Sequence, residues 1–186
     1  VSRATYIIYY EKPSILCAMK ESMHTSDRPD TNEKSTMTFA FVASLIPPAF
    51  VVAKLLVMFP QLADNPENLM LTALVSLSSV AILIYFGIRT ICKATPTLPQ
   101  AFLCFTVFTS AVDLAISGYL LGFWEMGSFY VNHGERYFNT SYGIAALGWD
   151  AVVHLSLQFV LAYRSLHGWN LKPVGLIWVG SVINSL

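Results

Sequence analysis

Charge is scarce in this 186-residue chain. Lys, Arg, Asp and Glu make up only 12% of it, with eleven basic residues balancing eleven acidic ones, against about 25% in an ordinary soluble domain. With no excess of either sign there is no global field to draw in nucleic acid, and neither a Gly-rich phosphate loop nor a basic-aromatic stripe is present, so nucleic acid is excluded as a partner. Cysteine is also rare. Cys17, Cys92 and Cys104 are odd in number and follow no zinc spacing, which removes a disulfide framework and a zinc site, and a thiol in an apolar stretch usually just packs. Nothing in the sequence calls for a cofactor. Residues 1–36 lack the apolar core and small-residue cleavage site of a secretory signal.

What the chain has instead is apolar bulk, with 55% of its residues hydrophobic. About 20 consecutive apolar residues cross a bilayer, and five stretches approach or meet that length: Phe39–Phe59, Leu69–Ile91, Leu98–Phe123, Gly143–Tyr163 and Val174–Leu186. The predicted fold is therefore all-α, a polytopic transmembrane bundle of about five helices. Residues 1–36 are polar and mixed in charge, and read as a disordered tail or as sequence upstream of a start at Met37. Residues 37–97 hold two leading helices. Residues 98–186 form a module that the end of the chain is expected to cut. Pro47-Pro48 removes two backbone donors and should kink the first helix, while Ser76, Ser78 and Ser79 should bond back to helix carbonyls or allow close packing in the second.

The connections alternate in charge. Pro60–Asn68 and Gly122–Tyr142 are mainly acidic, whereas Arg89–Thr97 and Arg164–Pro173 are basic. By the positive-inside rule the basic pair is cytosolic, as is the N-terminus. Asn139-Thr140-Ser141 is a glycosylation sequon on the opposite side, but it abuts the next helix and is expected to stay unmodified.

Two of the spans carry groups that a lipid-facing helix does not tolerate, since a charge near the bilayer centre costs about 2.5–3.5 kcal/mol. Asp150, His154 and Gln158 recur every four residues and form one stripe with Trp149 beside its lower end. Ser110, Asp113 and Ser117 form a second stripe on Leu98–Phe123. Two facing stripes would enclose a cavity of carboxylates, imidazole and aromatic walls, able to bind an amine, a hydroxyl compound or a sterol-like lipid, or to move a proton through His154. The competing reading is that the polar groups merely hold helices together, at about 0.6–2 kcal/mol per contact. His154 and two aspartates are too few for a metal site, and no Ser or Cys stands beside a visible base.

Three segments occur in order: Asn132-His-Gly-Glu-Arg-Tyr-Phe-Asn-Thr-Ser-Tyr142, then Trp149-Asp150-x-x-x-His154, then Gly175-Leu-Ile-Trp-Val-Gly-Ser-Val-Ile-Asn-Ser185. Together with Ile46-Pro47 and Ser110–Gly118 they closely resemble the transmembrane 6 superfamily, from about Met37 onward. That family is built from EXPERA modules, shared with the emopamil-binding sterol isomerase and the sigma-two receptor. The resemblance implies a multi-pass protein of the endoplasmic reticulum, or of the compartment between it and the Golgi, with a lipid- or sterol-sized cavity. It also implies a link to lipid homeostasis and lipoprotein lipidation. Where the isomerase has a His and a Glu four residues apart, this chain has Asp113 and Ser117, and Asp150 matches a further isomerase Glu.

These observations converge on a membrane lipid or sterol as the partner, bound without chemistry. Asp113 and Asp150 would anchor its polar end, His154 would orient Asp150, Trp149 would line the wall, and Ser117 and Gln158 would complete the site. An isomerase-like enzyme with Asp150 and His154 as acid and base is the alternative, and a structural scaffold is a third. Whether the chain forms a homo-oligomer stays open.

Overall fold

The computed structural model describes residues 31–133 and 136–185. Helix α1 (Thr31–Ser44) leads into α2 (Pro47–Met58), then a short α3 (Gln61–Asp64), α4 (Pro66–Cys92) and α5 (Leu98–Leu120). Helix α6 (Ser128–His133) and a 3₁₀ turn (Arg136–Asn139) precede α7 (Ser141–Trp149). A π-helical turn (Asp150–His154) then joins α7 to α8 (Leu155–Leu166), and α9 (Lys172–Ser185) follows. Among the described residues four helical runs are long and apolar enough to span a membrane: Asn32–Met58, Pro66–Cys92, Leu98–Leu120 and Ser141–Leu166. The protein is a polytopic transmembrane helical bundle.

Local chemistry sets most of the boundaries. The break between α1 and α2 falls where Pro47 and Pro48 lack the N–H groups that would continue the ladder. Leu45 and Ile46 tighten instead onto Val42 O and Ala43 O (both 3.2 Å), and the prolines occupy the first turn of α2, where missing donors are harmless. Asn65 caps α4 by accepting from Glu67 N at 2.9 Å, with Pro66 behind it. In α5, Gln100 Oε1 accepts from both the backbone N and the Oγ1 of Thr97 at 3.0 Å. Just beyond the end of α5 lies Gly122, whose φ of +78° suits glycine, while Phe123 N bonds back to Gly118 O at 2.8 Å.

The first helix starts earlier than the hydropathy pattern indicates. Residues 31–36, expected to lie in a polar tail, are helical, because Asn32, Glu33 and Lys34 break the apolar run without breaking a helix. The rest of that expected tail, residues 1–30, lies outside the described residues. The third span is also shorter than expected, since 121–124 form the turn just described.

Helix α5 is the hub. It packs on α2, α4, α7, the π turn and α8, and 56% of its apolar window is buried against 11% for α4. The core joins Val42, Leu45 and Ala49 to Leu103, Cys104, Val107 and Ala111, and onward to Leu161, Ala162 and Leu166. Helix α4 contributes only the ridge Val80, Ile84 and Ile88, spaced four apart as one helix face requires. Its other faces expose Met70, Leu71, Leu74, Val75, Ile82 and Phe86. Such a surface suits hydrocarbon rather than water, and every backbone group within a helix is satisfied internally, as a bilayer demands.

Candidate functional site

The polar residues form two neighbouring constellations rather than one cavity with two facing walls. The first is a cavity of about 410 Å³ between α2, α4, α5 and α6. Val52, Leu56, Leu69, Leu77, Phe108 and Phe129 make its walls apolar, and Thr72, Ser76, Thr109 and Tyr130 add hydroxyls. Asp113 is the one carboxylate among the described residues that line it. Ser76 also donates to Thr72 O at 2.7 Å, the back-bonding expected of it, and it lies on the cavity wall as well. Burial raises the Tyr130 phenol above its ordinary pKa, so at neutral pH it stays uncharged and keeps its donor.

The second constellation is a seam along α7, the π turn and α8. Asp150 Oδ1 lies 2.6 Å from His154 Nδ1. The approach is close but off-axis, because that buried oxygen receives no aligned hydrogen bond. The pair is therefore one of proximity and polarity more than of direction. On its other side, His154 Nε2 is 2.9 Å from Ser181 Oγ of α9. Trp149 Nε1 donates to the same Ser181 Oγ at 2.9 Å. Since an indole only donates, Ser181 keeps its own proton for Nε2 when the Nδ1 proton faces Asp150.

Higher on the stripe, Gln158 Oε1 accepts from Ser110 Oγ at 2.6 Å, tying α8 to α5. His154 and Gln158 are both buried, as an inward-facing stripe requires. Ser117, 4% exposed, has an Oγ with no hydrogen-bond partner.

Of the six residues singled out by sequence, the structure thus places Asp113 alone on the cavity wall. Asp150 and His154 are brought together, and Trp149 joins them through Ser181 rather than through a shared cavity wall. Gln158 reaches Ser110, and Ser117 is buried on α5 with its Oγ unpartnered. The expectation that no serine stands beside a visible base is overturned by Ser181. It lies 27 residues beyond His154 in an apolar helix, where serine reads as packing. The signal was its place in the Trp178-Val-Gly-Ser181 motif, which meets the Trp149-Asp-x-x-x-His154 motif in space.

The third motif is structural. Thr140 Oγ1 donates to Tyr137 O at 2.6 Å and accepts from Gly143 N at 3.1 Å, capping α7. Gly143 lies so close to the preceding turn that a Cβ there would meet Tyr137 O at 2.0 Å. Ser141 is the first residue of α7, so the sequon Asn139-Thr140-Ser141 does run directly into the helix.

A multi-pass helical bundle with buried polar seams defines a polytopic membrane protein. The model of the family "Transmembrane 6 superfamily member 2-like, transmembrane domain" matches residues 47–186, and the chain belongs to that family. Transmembrane 6 superfamily member 2 of Rattus norvegicus is 33% identical over 110 residues, covering 56% of this chain and 28% of the relative. The chain thus spans well under half the length of that relative. No solved structure matches it.

Proposed function

We propose that this protein holds a membrane lipid or sterol in the cavity between α2, α4, α5 and α6, with Asp113 accepting a hydrogen bond from the ligand's hydroxyl or amine end. The cavity itself is the observation that carries the reading. Its volume lies within the about 300–1,000 Å³ of ordinary ligand sites, and it combines apolar walls with a few placed polar groups, as those sites do. An intramembrane carboxylate is expensive to keep unless it serves a partner or a ligand. The family resemblance supports a setting in the endoplasmic reticulum and a part in lipid homeostasis and lipoprotein lipidation. Among the described residues Asp113 is the one carboxylate lining this cavity, with no imidazole beside it, and that composition supports the binding reading.

The test is equilibrium binding of tritiated cholesterol and of a photoreactive phospholipid to the purified chain in nanodiscs. A net hydrogen bond contributes about 0.5–1.5 kcal/mol, so Asp113→Ala is expected to weaken binding about two- to ten-fold. Leu77→Trp, which fills the cavity, should abolish it. Unchanged affinity in both variants would overturn the reading.

A further inference from the structure

We propose that Ser181 is a base-activated nucleophile that takes the acyl group of a neutral lipid ester, with His154 as its base, Asp150 beside the imidazole and Trp149 donating to the reacting oxygen. This site is separate from the cavity above and stands independently of what that cavity binds.

The geometry supplies two elements of an activated nucleophile: a hydroxyl within hydrogen-bond reach of a base, and a carboxylate close to the base's other nitrogen, though off-axis. Ser181 Oγ is 2.9 Å from His154 Nε2, and Asp150 Oδ1 is 2.6 Å from His154 Nδ1. Asp150 favours the tautomer that leaves Nε2 free to accept a proton, and it stabilises the imidazolium that results. Trp149 Nε1, 2.9 Å from Ser181 Oγ, orients that hydroxyl by donating to one of its lone pairs and so leaves its proton for His154. These groups come from two chain segments, Trp149–His154 and α9, so their convergence is a product of the fold rather than of local spacing.

The surroundings name the substrate. Asp150 and His154 lie 9 and 13 residues into the span Ser141–Leu166, about 14 and 20 Å along its axis at 1.5 Å per residue. That is near the middle of a hydrocarbon core about 30 Å thick. The esters of a phospholipid are held at the headgroup boundary, whereas an acylglycerol or steryl ester, lacking a charged headgroup, can enter the core. Exposed Ile177, one turn before Ser181 on the same face of α9, offers acyl chains an apolar contact, and the Asp150 side chain, 32% exposed, opens the seam.

In the reaction, Ser181 Oγ bonds to the ester carbon as its proton passes to His154 Nε2. The ester C–O bond then breaks and His154 returns that proton to the departing alkoxide, giving an alcohol and acyl-Ser181. Water, deprotonated by His154, attacks the acyl carbon next. The Oγ–carbon bond breaks, Ser181 regains a proton, and a fatty acid leaves.

The experiment treats the full chain in nanodiscs with a biotin-tagged long-alkyl fluorophosphonate and locates the adduct by tandem mass spectrometry. It also follows oleate release from co-reconstituted trioleoylglycerol and, separately, from phosphatidylcholine. The expected result is an adduct on Ser181, formed at least about 100-fold more slowly in His154→Gln, because a general base contributes about 10²–10⁴-fold. Oleate should come from trioleoylglycerol. Asp150→Asn takes the place of His154→Gln if the latter does not melt within a few degrees of wild type. An unmodified Ser181 in wild-type protein with native helicity, or equal labelling rates in wild type and a folded variant, would overturn the nucleophile. Release from phosphatidylcholine alone would overturn the substrate class.

Discussion

At Gly143 a single hydrogen separates α7 from the turn beneath it. A methyl group there would meet Tyr137 O at 2.0 Å, and this neighbour is backbone that cannot rotate away. Gly143→Ala is expected to destabilise the protein by about 1–3 kcal/mol, the usual cost of overpacking, seen as a lower melting temperature in detergent. The Ser110–Gln158 bond invites a different test. Ser110→Ala leaves a buried amide oxygen without its donor, a loss of about 1–3 kcal/mol. Adding Gln158→Leu removes the orphan as well, so the double variant should melt higher than Ser110→Ala alone. A double variant that melts lower would show that Gln158 is held by more than Ser110.

Among the elements, the broken first span is the one whose shape was most legible, because two adjacent prolines leave an α-helix no way to continue. Replacing both by alanine should let α1 and α2 fuse. Spin labels at residues 36 and 58 should then move apart toward about 33 Å, the rise of 22 helical residues; an unchanged distance would mean that packing, and not proline, sets the bend. Phe50, which meets Trp124 edge-on at 5.5 Å, would lose that contact. Trp124 is itself pinned, its Nε1 donating to Ala115 O at 2.8 Å and its ring covering Gly118.

At the scale of the whole molecule, alternation of the spans puts the 93–97 and 167–171 connections on one side of the membrane. Cysteines placed at Thr95 and Gly168, in a chain otherwise free of cysteine, should react with an impermeant maleimide from the cytosolic face of sealed vesicles. A cysteine at Gly122 should react only after permeabilisation. The reverse pattern would invert the orientation drawn from the positive-inside rule.

Four of the five expected spans were legible because apolar length is written directly in sequence, as were the polar stripes, whereas the stretch from Val174 onward falls in the shorter apolar helix α9. The partners of those stripes were not. Asp150 and His154 share a helix, so their pairing followed from spacing, but which helix faces Gln158, and that Ser181 closes on His154, depend on how α5, α8 and α9 pack. The stripe position of Asp113 points to a cavity, yet the walls of that cavity come chiefly from α4 and α5, whose apolar side chains carry no signal of such a role.

Helix α4 has one further consequence. Its buried ridge begins at Val80, while Leu69, Thr72, Ala73, Ser76 and Leu77, all nearer its start, face the cavity. It is thus a lever clamped along its second half and supported over its first half mainly by the space a guest would fill. For the lipid ligand proposed above, a doorway built this way would open sideways into the bilayer and not into water. Entry should therefore follow the mole fraction of ligand among the surrounding lipids, so that diluting the nanodisc with inert lipid slows loading even when the total amount of ligand is held constant.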